Sequence, residues 1–277
     1  MFWQTSRFRI DLSRPRVMGI VNLTPDSFFD GGRDAAAGIA QSERLVAEGA
    51  DILDLGGEST RPGASPPEMS LEMARVLPVL RHVVGLGVPI SVDTSQPALM
   101  QAALDMGADI INDVRALTRP GASAVVAAHP SAGICLMHMQ GEPPTMQAAP
   151  HFDDVVGEVA AYLRDRASDL AALGVAPDRI VLDPGVGFGK TDEHNWTLLR
   201  RQRELLALGY PLLVGWSRKG SLGRLTGRPL AERLAASVAA ALAAIAQGAT
   251  VVRVHDVAAT VDAIAVWQAA AAPTIRQ

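Results

Sequence analysis

Of the 277 residues, only Cys135 is a cysteine. An intrachain disulfide framework and any zinc site built on cysteine pairs are therefore excluded. Cys135 lies inside the apolar run Gly133-Ile134-Cys135-Leu136-Met137, which marks it as a small core residue and not a nucleophile. A long hydrophobic run is also missing. The most apolar helical stretch, Leu234 to Ala246, is mostly alanine and falls well short of the roughly 20 residues that cross a bilayer. Met1 to Asp11 carries Arg7, Arg9 and Asp11 and lacks the apolar core of a secretory signal, so a reducing, cytoplasmic setting is expected, with no membrane partner. Nor is there an excess of positive charge. The formal net charge of −4 argues against a general nucleic-acid binder while leaving room for a local cationic pocket around a small anion. His82, His129, His138, His151, His194 and His255 show no paired metal-ligand spacing, against a transition-metal site. No Ser-His-Asp or Cys-His arrangement suggests a covalent nucleophile.

A phosphate loop is imitated but absent. In Gly185-Val186-Gly187-Phe188-Gly189-Lys190-Thr191, Pro184 stands where the P-loop pattern requires its first glycine. The G-x-G-x-x-G dinucleotide spacing is missing too. Two readings of the glycines remain: a tight turn, or a backbone passing closely beneath a flat ligand with Phe188 offering an aromatic face.

What the chain does contain is a repeat of short apolar runs: Val17–Leu23, Ile52–Leu55, Ile90–Asp93, Ile110–Asp113, Gly133–Met137, Ile180–Asp183, Leu212–Gly215 and Val251–Val254. They are rich in β-branched residues and continuously apolar, as strands covered on both faces should be. Helix-like stretches lie between them. Ala35–Glu48 and Pro97–Met106 end at Gly49 and Gly107, and Asp153–Leu173 and Leu230–Gln247 end at Gly174 and Gly248, the usual place of a capping glycine. Eight strand–helix units of this size predict a (β/α)₈ barrel as one domain over residues 1–277, with Phe2–Asp11 as a small strand pair plugging its bottom. A doubly wound open sheet is the rival.

Each run stops at a polar, charged or glycine-rich cluster: Asn22, Asp54, Asp93, Asn112, His138, Asp183, Ser217 and His255. In a barrel those ends share one rim, where such folds build active sites. A carboxylate in a partly dry pocket needs donors, and an amino group beside a ring N–H on a flat heterocycle presents two in parallel. Asp93, Asn112 and Asp183 together suit that role; taken singly, an aspartate could equally cap the next helix, as Asp93 could. Ser217-Arg218-Lys219 and Arg253-Val254-His255 follow the last two strands, the usual phosphate position of these barrels. Asn22 offers an amide oxygen suited to a magnesium ion held mainly by water and phosphate. The segments Thr24–Asp34 and Ser59–Glu68, rich in Gly, Pro, Ser and Asp, read as rim lids. The carboxylate of Asp54 is expected to matter less than the loop it launches.

The segments MGIVNLTPDSFFDGG (18–32), DLGGESTRPGA (54–64), SVDTS (91–95), INDV (111–114), LMHMQG (136–141), LDPGVGFGK (182–190), GWSRKG (215–220) and RVHDV (253–257) resemble, in order, the dihydropteroate synthase family of folate biosynthesis. The resemblance implies a cytoplasmic homodimeric barrel transferase, a target of sulfonamides. It would join hydroxymethyl-dihydropterin pyrophosphate to p-aminobenzoate by a dissociative substitution. It implies a pterin pocket of Asp93, Asn112, Asp183 and Lys219 with Arg253 stacked over the ring. A pyrophosphate site of Asn22, Arg61, Arg253 and His255 with Mg²⁺ is implied beside it. The aminobenzoate site would comprise Thr60, Pro62, Phe188 and the start of the helix after Lys219. Asp93, Asp183, Lys219, Arg253 and His255 would carry the chemistry, and a first loop with Asp26, Phe28 and Asp30 would close over the leaving group. Two positions depart from the family. Many members have Ser after Ser-Arg-Lys, where this chain has Gly220 and then Ser221, which implies a weaker hold on the aminobenzoate carboxylate. Phe29 replaces a small polar residue. Alternatives from other classes are a pterin-using methyltransferase barrel and a non-catalytic pterin-binding paralogue.

Overall fold

The computed structural model describes residues 1–24, 33–59, 63, 65 and 67–271. A short antiparallel pair, β1 (Phe2–Gln4) and β2 (Arg9–Asp11), precedes the main sheet. Eight parallel strands follow: β3 (Arg16–Asn22), β4 (Ile52–Gly56), β5 (Ile90–Asp93), β6 (Ile110–Asp113), β7 (Gly133–Met137), β8 (Ile180–Asp183), β9 (Leu213–Val214) and β10 (Val251–Val254). Their order is β8-β7-β6-β5-β4-β3-β10-β9, and a parallel bridge between Leu182 and Leu212 joins the two edges. The sheet is therefore a closed barrel, as the eight-unit spacing predicts, and the open-sheet rival fails. Around it lie α1 (Arg33–Ala47), α2 (Met69–Val83), α3 (Pro97–Asp105), α4 (Ala122–Ala128), α5 (Val155–Ala172), α6 (Asp192–Arg200), α7 (Gly220–Thr226), α8 (Leu234–Ala246) and α9 (Val257–Ala271). Among the described residues, no helix is long and apolar enough to cross a membrane.

Strand periodicity decides which side chain meets which layer. One parity set of the strand residues, including Val17, Leu53, Leu55, Val92, Ile111, Ile134, Leu182, Val214 and Val252, packs outward under the helices. The other set points inward. At the bottom of the barrel it supplies Met18, Ile52, Ile110, Cys135, Val181, Leu213 and Val251, which pack with Trp3 and Ile10 of the strand pair and with Leu12 just after it. Trp3 is fully buried and its indole N–H donates to Arg179 O at 2.9 Å, so the plug is both apolar and hydrogen-bonded. Burial pushes the Cys135 thiol well above its ordinary range, consistent with an inert core residue. Two residues further along each strand, the same inward parity reaches Ile20, Asp54, Asn112, Met137, Asp183, Gly215 and Arg253. One set of strands therefore supplies an oily base and a polar mouth.

Helix limits shift from expectation by a residue or two at several ends, and three departures have a local cause. Glu158 Oε1 accepts from the backbone N–H groups of Asp153 and Asp154 at 2.8 and 3.0 Å, holding them outside α5. The stretch 230–247 is broken: Leu230–Glu232 forms a short 3-10 turn before α8. There the Arg233 guanidinium turns back to donate to the carbonyls of Arg228 and Arg218. Asp93 does not cap α3, whose N-cap is Gln96 followed by Pro97.

Candidate active site

At the C-terminal ends of the strands lies a cavity of about 1210 Å³. Asn22, Asp93, Asn112, Asp183, Phe188, Lys219, Arg253 and His255 all line it, so the barrel brings together every expected site residue among those described. Thr60, Arg61, Pro62, Asp26, Phe28, Phe29 and Asp30 lie outside the described residues.

The cavity floor is a charged network across the barrel mouth. Arg253, on β10, donates from Nε to Asp54 Oδ2 on β4 at 2.6 Å and from Nη2 to Asp93 Oδ2 on β5 at 3.1 Å. Asn112 Nδ2, on β6, faces the same Asp54 carboxylate at 3.3 Å. Asp54 is completely buried, and an unpaired carboxylate there would be very costly. The expectation that its carboxylate matters little is therefore corrected: Asp54 is the counter-ion that fixes Arg253 and orients the Asn112 amide. Burial, then the neighbouring Asp54, push Asp93 well above the usual carboxylate range, and Arg253 opposes them. The Asp183 carboxyl is raised to about 6, chiefly by burial, against the Gly185 N–H that donates to it at 2.7 Å.

Beside this floor, Lys219 Nζ sits 4.2 Å from the centre of the Phe188 ring, a cation–π contact. Burial lowers its pKa to about 8 although Asp183 opposes the shift. Ser217 and His255 are tied together: the His255 backbone N–H donates to Ser217 Oγ at 3.1 Å, and the hydroxyl lies 2.9 Å from His255 Nδ1. A hydroxyl that accepts the N–H donates its own proton to Nδ1, which leaves Nε2 protonated and free to donate. Burial and Arg253 hold the ring neutral, with a pKa near 3. Arg218 is turned aside, forked onto Asp256 at 3.0 and 2.6 Å.

The glycine turn after β8 is built for the neighbouring chain segment. A Cβ at Gly185 (φ 69°) would stand 1.8 Å from His138 O, and one at Gly189 (φ 60°) 2.1 Å from Gln140 O; only glycine fits. Gly187 faces the side chain of Lys219. Lys190, almost wholly buried, anchors the turn: Nζ donates to Phe188 O at 3.1 Å and His138 O at 3.3 Å and lies 2.8 Å from His138 Nδ1. Burial lowers the Lys190 pKa to about 7 and that of His138 to about 3. His138 thus has a packing role, with its ring edge-on to Tyr162 at 5.0 Å.

A second polar network braces the rim. Arg115 forks onto Glu58 at 3.1 and 3.3 Å and donates to Glu142 at 2.9 Å and Ser95 Oγ at 2.9 Å. Asp113 accepts from the N–H groups of Arg115 and Leu117 and from the Ser95 hydroxyl. The sequence assigned no site role to Glu58, Arg115, Glu142 or Lys190, and marked Asp54 only as a strand end. Only Asp54 carried a signal, its inward parity on β4; the others sit on irregular loops where no periodicity points.

Among the described residues, no group of three or more His, Cys, Asp or Glu could hold a metal ion. The amide of Asn22 at the cavity wall is the kind of single neutral oxygen that fits a magnesium ion coordinated mainly by water and phosphate.

Carboxylates and an amide on the floor, cations and a neutral imidazole on one wall and an aromatic ring on another define a barrel enzyme for a flat, amino-bearing heterocycle carrying an anion. The sequence profile of the pterin binding enzyme family matches residues 18–255. The dihydropteroate synthase of Neisseria meningitidis serogroup C is 57% identical over 273 residues, covering 96% of each chain. The solved structure of Xanthomonas albilineans dihydropteroate synthase with 4-aminobenzoic acid superposes with a TM-score of 0.90 at 50% identity, over 96% of both chains. That of Burkholderia cenocepacia dihydropteroate synthase complexed with 7,8-dihydropteroate gives 0.89 at 47%, over 98% of this chain and 96% of that one. The chain belongs to the dihydropteroate synthase family of pterin binding enzymes.

Proposed function

We infer that this enzyme is a transferase that condenses hydroxymethyl-dihydropterin pyrophosphate with p-aminobenzoate, releasing dihydropteroate and pyrophosphate in folate biosynthesis. The observation that carries this reading is the meeting, in one cavity, of the floor of Asp93, Asn112 and Asp183 with the anion-facing groups Lys219, Arg253 and His255. The carboxylates accept from the amino group and ring N–H of the pterin, and Asn112 reads an adjoining edge. The pyrophosphate lies toward Arg253 and His255 Nε2, which stabilise the charge that develops as the C–O bond breaks. Asp93 and Asp183 stabilise the electron-poor pterin left behind. The arylamine lone pair then closes the new C–N bond, and the amine loses its proton to water. No protein nucleophile takes part. Water must be excluded while the carbon is cationic, a duty proposed for the rim segments after β3 and β4, with Thr60, Arg61 and Pro62 on the second.

The p-aminobenzoate ring is proposed to rest near Phe188, a place a sulfonamide would compete for. Magnesium belongs to the same proposal: Asn22 would contribute one oxygen to it, and the ion would supply charge neutralisation to the leaving pyrophosphate. The proposed partner is a second copy of the chain. An apolar groove between α8 and α9, lined by Leu242, Ala263, Val266, Trp267 and Ala270, supports a homodimer through that face. A reducing, cytoplasmic setting completes the reading, consistent with the unpaired, buried Cys135 thiol.

The test is a coupled pyrophosphate-release assay. Turnover should require the pterin pyrophosphate, p-aminobenzoate and magnesium together. Release that is independent of p-aminobenzoate, or no release by folded, magnesium-supplied protein, would overturn the reading.

A further inference from the structure

The start of α7 has no side chain where this family often carries serine, because position 220 is glycine. The space is nevertheless filled. A Cβ built on Gly220 would stand 2.9 Å from Arg224 Nη1 and 3.3 Å from Nη2. The Arg224 guanidinium, one helical turn on, therefore lies over the bare backbone of Gly220, which it could not do beside a larger residue. Asp192, at the start of α6, fixes its orientation. Nε donates to Asp192 Oδ2 at 2.5 Å and Nη2 to Asp192 Oδ1 at 2.6 Å. The fork uses one edge of the guanidinium, so Nη1, the nitrogen nearest Gly220, keeps its N–H groups for another acceptor. Arg224, Gly220, Asp192 and Phe188 all line the cavity.

The other arginines lining this cavity are engaged elsewhere among the described residues. Arg44 pairs with Glu48, Arg218 with Asp256, and Arg253 with Asp54 and Asp93 on the floor. Arg224 too is paired, with Asp192, but its guanidinium also lies against the half-buried Gly220, which lines the same cavity as Phe188.

We propose that Arg224 is a specificity-determining residue of this enzyme, binding the carboxylate of p-aminobenzoate through Nη1 in the place Gly220 leaves open. The proposal rests on the functional reading above. It replaces the expected weak hold on the carboxylate with a cationic one, oriented by Asp192. Because Arg224 is about two-thirds exposed and already paired, the gain is modest, nearer a solvated charge-assisted hydrogen bond than a buried ion pair.

The experiment compares p-aminobenzoate with p-aminobenzamide, which keeps the nucleophilic amine and loses the charge. In Arg224→Ala, KM for the acid should rise about fivefold, a magnitude in line with one solvent-exposed ion pair. KM for the amide and for the pterin pyrophosphate should stay within about twofold. Adding Gly220→Ser to Arg224→Ala should recover part of the loss, because the cleared space then accepts a hydroxyl; Arg224→Lys should recover part of it through charge alone. Equal increases for acid and amide would assign Arg224 a merely bracing role and overturn the proposal, as would no change for either. A wild-type enzyme that turned over neither amine would instead bring down the functional reading, and the proposal with it.

Discussion

Asp93, Asp183 and Lys219 are residues whose ionisation the site perturbs in a direction that matters for the chemistry. Burial holds the Asp183 carboxyl near 6 and the Lys219 ammonium near 8. The pterin's donors need Asp183 ionised, so binding weakens as pH falls through about 6 and the carboxylate takes up a proton. Lys219 must keep its proton to sit as a cation beside Asp183, so activity falls as pH rises through about 8. The kcat/KM profile for the pterin pyrophosphate should therefore be bell-shaped with limbs near those values. Asp183→Asn should abolish the acid limb and Lys219→Met the alkaline one, each in stopped-time assays across pH 5 to 9. An unchanged acid limb in Asp183→Asn would assign it to another group. At this scale the sequence was partly readable. Asp93, Asn112 and Asp183 were visible as strand ends, whereas the importance of Asp54 depended on which cation its buried carboxylate would meet.

At the scale of elements, the β6–α4 turn bears strain that its neighbours explain. Ala116 and Leu117 both adopt left-handed φ values, 48° and 60°, an arrangement that costs non-glycine residues on the order of 1–3 kcal/mol each. The turn is held by the Asp113 carboxylate and aims Arg115 back across the rim to Glu58 and Glu142. The roots of the segments after β4 and β7 are thereby tied to one guanidinium. The Arg115 and Glu58 side chains are each only 4% exposed, so removing the cation leaves a buried carboxylate unpaired. Arg115→Met should lower unfolding free energy by about 3–5 kcal/mol, read from urea denaturation at pH 7. A loss below about 1 kcal/mol would mean that water or another cation replaces the guanidinium. Nothing in the INDV segment or in Arg115-Ala116-Leu117 foretold this turn. Left-handed φ at Ala and Leu contradicts local preference and is imposed by the network around it.

For the whole molecule, closure of the barrel sets both the site and the remaining exposed apolar face. The α8–α9 groove places Val266, 71% exposed, beside Leu242 and Trp267, an arrangement that suits a self-complementary contact between two copies. Val266→Glu should convert the proposed dimer to monomer, read by sedimentation velocity at micromolar concentration, without a change in barrel stability. An unaltered sedimentation coefficient characteristic of a dimer would move the interface elsewhere, and a monomeric wild type would refute the dimer.

The strand pattern, the helix-ending glycines and the strand-end acids follow from local physics. Apolar period and backbone preference act over a few residues, so eight parallel strands and one rim could be read directly. The pairings inside that rim could not. Arg253 with Asp54, Lys190 with the carbonyl of His138, Arg115 with Glu58 and Arg224 with Asp192 join groups brought together through barrel closure or loop geometry. Their partners depend on which carboxylate or carbonyl is left dry and in reach, and only the closed structure decides that.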